Sequence, residues 1–236
     1  MVEKSKLLVV EDEKNVGSTL TERLRQEGFD VTWVESFEDA QLQINSRKFD
    51  LALLDVGLPD GSGFDLAKLL QKLNRGTAVI FLTAFGNPED RIKGLELGAE
   101  DYIVKPFFLK ELLLRVQNGL KRRRYITDHS VADGIQIGKA KLFLSRFEAE
   151  SDGETASLSH KECAMLKLLI EKKGQVVSRD EILNEVWNED EFPSSRTIDN
   201  FIMRLRRLVE KDSEDPQIIK SVRGVGYMLK SDGGSE

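Results

Sequence analysis

Leu51-Ala52-Leu53-Leu54-Asp55-Val56-Gly57-Leu58-Pro59-Asp60-Gly61-Ser62-Gly63 reads as a buried strand running into a tight turn. Four successive apolar residues without alternation are the pattern of a strand covered on both faces, as in a parallel sheet. The Gly- and Pro-rich run after them ends the strand. Asp55 therefore stands at the carboxyl end of a buried strand, where a charge needs a partner or a task. In open α/β sheets the crevice outside those carboxyl ends is where ligands bind. An Asp that merely opens a turn is the simpler reading of this segment taken by itself. The choice depends on what else reaches the same edge.

Upstream, Lys6–Val10 is another apolar run and ends in Glu11-Asp12-Glu13. Val16, Leu20 and Leu24 follow at helical spacing, Gly28 closes that helix, Val31–Val34 reads as a strand and Phe37–Ile44 as a helix. Downstream, the pattern predicts a helix over Phe64–Leu73 and a strand over Ala78–Leu82 that ends at Thr83-Ala84. A helix around Arg91–Leu97 stops at Gly98, Tyr102–Val104 is a strand ending at Lys105-Pro106, and Leu109–Leu120 is helical. Five β–α repeats predict a doubly wound parallel five-stranded sheet. Because all five strands point one way, Glu11, Asp12, Asp55, Thr83 and Lys105 converge at one edge. Carboxylates with room for water suit Mg²⁺. A carboxylate can also take up a phosphoryl group as an acyl phosphate, whose oxygens Thr83 and Lys105 are suited to hold.

These residues, with Leu58-Pro59, Gly63, Ala84 and Pro106-Phe107, resemble the receiver domain of bacterial two-component response regulators over about residues 5–122. The resemblance implies the flavodoxin-like strand order 2-1-3-4-5 and a phosphoryl group taken from a histidine kinase. It implies Asp55 as phospho-acceptor, Glu11 and Asp12 as Mg²⁺ ligands with the Gly57 carbonyl, and Lys105 as the partner of the phospho-aspartate. The Lys105–Pro106 bond is expected to be cis, and Thr83 with Tyr102 to form a switch pair. Arg91, Glu96, Asp101, Glu111 and Arg115 match charged positions that pair across a receiver homodimer in the winged-helix subfamily. Where many members carry Met or another larger residue, this chain has Gly57. An aspartyl-phosphate phosphatase, the rival of another class, commonly has a second Asp two residues after its nucleophile; Gly57 stands there and supplies no general acid. A constitutive DNA-binding or docking module is the third reading, and the intact receiver set argues against it.

The pattern changes after Lys121-Arg122-Arg123-Arg124, a basic run that reads as a solvated helix end. Short strands follow at Ile135–Ile137, Lys141–Leu144, Glu148–Ser151 and Thr155–Leu158, with Asp152-Gly153 as a hairpin signal. Ser159-His160-Lys161-Glu162 and Ser178-Arg179-Asp180-Glu181 read as capping boxes opening helices to about Ile170 and Trp187. A third helix runs from Ser194 or Ser195 to about Lys211, and Ile218–Val222 with Gly226–Leu229 forms a hairpin. Three helices and a terminal hairpin make a winged helix. In the third helix Ile198, Phe201, Ile202, Leu205 and Leu208 mark a buried face, leaving Arg196, Thr197, Asn200, Arg204 and Arg207 largely on others. Arg and Asn are the side chains that read guanine and adenine edges. Ser195–Asp199, Arg204-Leu205-Arg206 and Val222–Tyr227 resemble the OmpR/PhoB-type effector domain. That resemblance implies double-stranded DNA as partner, the third helix in the major groove and Arg223 of the wing in the minor groove. Val186–Ser194 matches a loop that contacts RNA polymerase in some relatives, and Glu189, Asp190 and Glu191 there suit a protein partner.

The expected division is a receiver over 1–121, a linker over 122–133, a winged-helix domain over 134–231 and a disordered tail over 232–236. At 236 residues, two domains are comfortable. Neither half is globally basic: residues 1–120 carry 15 Lys and Arg against 20 Asp and Glu, and 131–236 carry 16 against 20. DNA binding must therefore come from a local cluster. Cys163 is the only cysteine, which excludes an internal disulfide and a cysteine-based metal site. His129 and His160 lack companions for ligation or catalysis. No apolar run approaches the length of a membrane span, and Met1–Lys6 leads directly into a strand, so a cytoplasmic protein is expected.

Overall fold

A computed structural model describes residues 4–73, 76–84, 94, 97–128, 134–187 and 195–230, with the backbone alone for 122–128 and 195–196. The chain divides into two units, Met1–Tyr125 and Ile126–Glu236. The first unit contains β1 (Lys6–Val10), α1 (Lys14–Gln26), β2 (Asp30–Val34), α2 (Phe37–Ser46) and β3 (Leu51–Asp55). After β4 (Gly57–Leu58) and β5 (Gly61–Ser62) come α3 (Gly63–Leu73), β6 (Ala78–Thr83), β7 (Asp101–Val104) and α4 (Leu109–Asp128). The main sheet has the order β2-β1-β3-β6-β7 and all its pairings are parallel.

The unbroken apolar runs follow from this arrangement, since successive strand residues face opposite sides. Leu7, Val9, Leu51, Leu53, Ile80 and Leu82 pack against Leu20 and Leu24 of α1 and Leu112 and Val116 of α4. Their neighbours Leu8, Val10, Ala52, Leu54, Val79 and Phe81 pack on the other face against Ile44 of α2 and Leu66 and Leu70 of α3. The turn after β3 is more ordered than its Gly content suggests. Gly57–Leu58 and Gly61–Ser62 pair antiparallel, and the Asp60 carboxylate accepts from the backbone N–H groups of Phe37 and Glu38 at 2.8 and 3.1 Å. A Cβ on Gly63 would lie 2.1 Å from the Asp55 carbonyl oxygen, so only glycine lets α3 start this close to the strand end.

One feature differs from the sequence reading. Helix α4 continues to Asp128, past Leu120 and into the expected linker, because no Gly or Pro stands between Leu120 and Gly134. The helix expected around Arg91–Leu97 lies mostly outside the described residues, as do Arg91 and Glu96.

In the second unit, β8 (Ile135–Ile137), β9 (Ala140–Phe143), β10 (Glu148–Ser151) and β11 (Glu154–Ser157) form an antiparallel sheet. Positive φ angles of 54° at Asp152 and 80° at Gly153 turn the β10–β11 hairpin. Helices α5 (His160–Glu171), α6 (Arg179–Val186) and α7 (Ser195–Val209) share one core with the hairpin of β13 (Ile219–Val222) and β14 (Gly226–Leu229). A two-residue strand, β12 (Val177–Ser178), adds to β14 as a third strand too short to be read from the sequence. The Ser159 capping box forms in full. At α6 only half of the expected box forms: Ser178 accepts from the Glu181 N–H, while the Glu181 carboxylate turns to Lys172.

Candidate functional site

In the first unit the strand ends converge as their direction requires. Glu11 follows β1 and is fully buried, Asp55 closes β3, Thr83 closes β6 and Lys105 follows β7. The carboxylates of Glu11, Asp12 and Asp55 each place an oxygen within 4.8 Å of the others. Lys105 Nζ donates to Glu11 Oε1 and Asp55 Oδ2, both at 2.6 Å, and to Glu13 Oε1 at 3.3 Å. The other oxygen of Asp55 accepts from the Gly57 N–H at 2.9 Å. The Lys105 N–H donates to the Thr83 carbonyl at 2.6 Å, and the Lys105–Pro106 peptide is cis. Glu11 is held from behind as well: Trp33 Nε1 donates to its carbonyl at 3.0 Å, and the indole lies over Gly17, where a Cβ would come within 2.4 Å.

The charges are unequal in their settings. Burial raises Glu11 to about 7, with Lys105 pulling it down and the neighbouring Asp55 carboxylate pushing it up. Burial works to lower the Lys105 ammonium, but its bonds to Asp55 and Glu11 prevail and hold it above the ordinary lysine value. Glu11 Oε2 is buried without a hydrogen-bond partner. An oxygen-ligating dication fits this donor set, because it would satisfy that orphaned oxygen and neutralise the crowded carboxylates. Of the remaining receiver positions, Tyr102 sets its ring 6.2 Å from that of Phe81, tilted by 60°, and buries its hydroxyl oxygen. Arg115 donates within its own chain to Asp101 at 2.5 Å and to Glu111 at 2.8 Å. Beside Lys105, a groove of about 520 Å³ is lined by Val16, Leu20, Pro106, Phe107 and Leu109.

In the second unit, Asn200 is half-buried, and Asp199, Met203 and Arg207 are exposed along one stripe of α7. Arg223 is exposed in the β13–β14 turn. Two of the sequence candidates turn inward. Thr197 is buried beside Ile198 and Phe201, and Arg204 donates to Glu162 Oε1 of α5 at 2.7 Å. The Arg196 side chain and the Val186–Ser194 loop beyond Trp187 lie outside the described residues. The wing is tied to α7 by groups the sequence reading passed over. Asp199 Oδ1 accepts from Arg179 at 2.6 Å and from the Tyr227 hydroxyl at 2.5 Å. Burial would raise Asp199, but these two donors hold it below the ordinary carboxylate range. Burial, then the hydrogen bond to Asp199, lifts Tyr227 to about 12. About three turns further on, Glu210 accepts from the N–H groups of Gln217, Ile218 and Ile219, while Arg206 donates to the Ile219 carbonyl.

Comparison with known proteins follows this division. The response regulator receiver domain family matches residues 7–117, and the family described as transcriptional regulatory protein, C terminal, matches residues 153–229. The transcriptional regulatory protein CusR of Escherichia coli K12 is 37% identical over 225 residues, 95% of this chain and 97% of CusR. The DNA-binding response regulator MtrA of Mycolicibacterium smegmatis is 36% identical over 224 residues, 95% of this chain and 96% of MtrA. Among solved structures, a RitR mutant aligns with a TM-score of 0.80 at 25% identity, covering 95% of this chain and 98% of its own.

Proposed function

The chain belongs to the two-component response regulators that join a receiver to an OmpR/PhoB-type DNA-binding domain, and we propose that Asp55 is its phospho-acceptor. The observation that carries this reading is the Asp55 carboxylate held between Lys105 and the Gly57 N–H, beside Glu11 and Asp12. In the transfer, an Asp55 oxygen attacks phosphorus as the P–N bond to a kinase histidine breaks and the imidazole keeps the electron pair. Lys105 is already within reach of the carboxylate and would follow the phosphoryl oxygens as they arrive. Glu11, Asp12, Asp55 and the Gly57 carbonyl would hold Mg²⁺, which supplies positive charge against the oxygens of the transferred group. Thr83 stands one strand over as the hydroxyl that meets the phosphoryl group, and Tyr102, with its hydroxyl buried, is the aromatic that moves with it. The apolar groove beside Lys105 offers the histidine kinase a seat next to the acceptor.

The output is transcriptional. Asn200 and Arg207 of α7 would meet base edges and phosphates in the major groove, with Arg223 in the minor groove. Arg196 belongs to the same helix and is proposed with them. Arg204 and Thr197 would act by seating α7 rather than by touching DNA, as their inward placement suggests. Phosphorylation would pair two receivers, with Asp101, Glu111 and Arg115 exchanging partners from within one chain to across a dimer together with Arg91 and Glu96. The acidic run Glu189–Glu191 would be the contact for RNA polymerase, on the chemistry of its sequence alone. Size-exclusion chromatography with light scattering, in Mg²⁺ and beryllofluoride, tests the switch. Wild type should shift from monomer to dimer and Asp55→Ala should not; equal behaviour of the two refutes it.

A further inference from the structure

Helix α7 carries an exposed methionine where a DNA-reading helix would be expected to carry polar groups. Met203 is 43% exposed, and among the described residues it is the only large apolar side chain on α7 left open to solvent. A single exposed apolar residue is ordinary on a protein surface. Its position is what sets Met203 apart. At about 100° per residue, Met203 lies on the edge of the stripe that runs through Arg196, Arg207 and Asn200, between Asn200 and Arg207 along the axis and turned away from the buried Ile198, Ile202 and Leu205. Arg207 Nη2 lies 3.9 Å from Met203 Sδ, so the side chain lies along the stripe beside a cation suited to phosphate or guanine.

Resting on the reading of α7 as the major-groove helix, we propose that Met203 determines part of the DNA sequence preference by packing on the C5-methyl group of a thymine. In the major groove that methyl is the one apolar feature among hydrogen-bonding edges, and it alone distinguishes thymine from a base of the same polar pattern. A methionine is suited to it: its unbranched, polarisable side chain reaches and adapts to an irregular apolar surface. Asn200, within one turn on the same stripe, has the amide that pairs with adenine N6 and N7. The pair of residues therefore selects a half-site in which an adenine and a thymine stand close together.

The test begins by selecting duplexes from a random library with the full chain in Mg²⁺ and beryllofluoride. Each thymine of the selected site is then replaced by deoxyuridine, which removes the methyl group and nothing else. For wild type, uracil at one thymine of each half-site should weaken binding about fourfold, the effect of one buried methyl. Met203→Ala, a substitution at an exposed helical position with a better helix former, should bind the thymine and uracil duplexes equally. Its dependence on salt should match that of wild type, because no phosphate contact is lost. A selected site without thymine, or a uracil penalty that is absent in wild type or retained in Met203→Ala, overturns the proposal. Failure to enrich any sequence would overturn the DNA-reading role of α7 itself, and the assignment of Met203 with it.

Discussion

Replacing Lys105 with Met should make the first unit depend on Mg²⁺ for its stability. The Lys105 ammonium is the positive charge shared by two buried carboxylates, at 2.6 Å from Glu11 and 2.6 Å from Asp55. Removing one partner of a buried ion pair costs about 3–5 kcal/mol, because the remaining charge is left without compensation. Glu11 limits the loss by taking up a proton, since burial already raises it to about 7 and the loss of Lys105 would raise it further. A net cost of about 3 kcal/mol is therefore expected at neutral pH, near the lower end of that range. For a domain of this size it corresponds to a fall in Tm of about 12 °C. A dication held by the same carboxylates replaces the missing charge, so saturating Mg²⁺ should recover most of the deficit. Wild type should gain less from Mg²⁺, because its ammonium competes with the metal for the same oxygens. Calorimetry of the full chain in chelator and in Mg²⁺ reads this directly, the Mg²⁺-sensitive transition identifying the first unit. Equal stability of the two proteins in chelator, or an equal deficit with and without Mg²⁺, would refute the account of Lys105 as the counter-charge of the metal-free site.

Glu11 binds a proton up to about pH 7 when folded but only to about 4.5 when unfolded, so metal-free stability should fall as pH rises through that window. Denaturant titrations in chelator should show this decline in wild type and a flatter profile in Glu11→Gln; a rise in wild type would contradict the buried setting. Arg207→Ala should reduce the slope of log affinity against log salt by about one, whereas Arg204→Ala should leave the slope unchanged. The Arg204 variant should instead destabilise the second unit through Glu162, by about 1–3 kcal/mol on thermal unfolding. Glu210→Ala strips the acceptor from three backbone N–H groups, one of them fully buried, and should cost about 3 kcal/mol. A loss well under 1 kcal/mol in denaturant would mean that water replaces the carboxylate.

The receiver crevice was legible because parallel strands impose it. Once Leu7–Val10, Leu51–Leu54, Ala78–Leu82 and Tyr102–Val104 are read as strands, the residues after them have to meet, and Glu11, Asp55, Thr83 and Lys105 do. Glu13 gave no such signal: it follows the strand end by three residues, is largely exposed, and meets Lys105 from 92 residues away. The faces of α7 were legible only in outline. Apolar spacing placed Ile198, Ile202 and Leu205 inside, but residues flanking that face can turn either way, and the neighbours that decide are distant in sequence. Glu162 on α5 draws Arg204 inward, and the core around Phe201 takes Thr197. Met203 drew no assignment in the sequence, since its side chain has no strong donor or acceptor to mark it as a reader of base edges.

The same geometry explains how an acidic domain can present a DNA-binding surface. Residues 131–236 carry more acid than base, but several of those acids are engaged internally. Glu162 holds Arg204, Asp199 holds Arg179 and the Tyr227 hydroxyl, Glu181 turns to Lys172, and Glu210 is saturated by backbone N–H groups. At physiological ionic strength a surface charge is felt over about 8 Å, so what DNA meets is the local set, in which Arg207 and Arg223 remain exposed. Two exposed cations among the described residues of α7 and the wing correspond to few counterions released and a shallow salt dependence. Non-specific attraction then supplies less of the affinity, and side chains that touch base edges, Asn200 and Met203 among them, must supply more. A stripe with a methionine between Asn200 and Arg207 along the helix and paired charges at its margins is built for that balance.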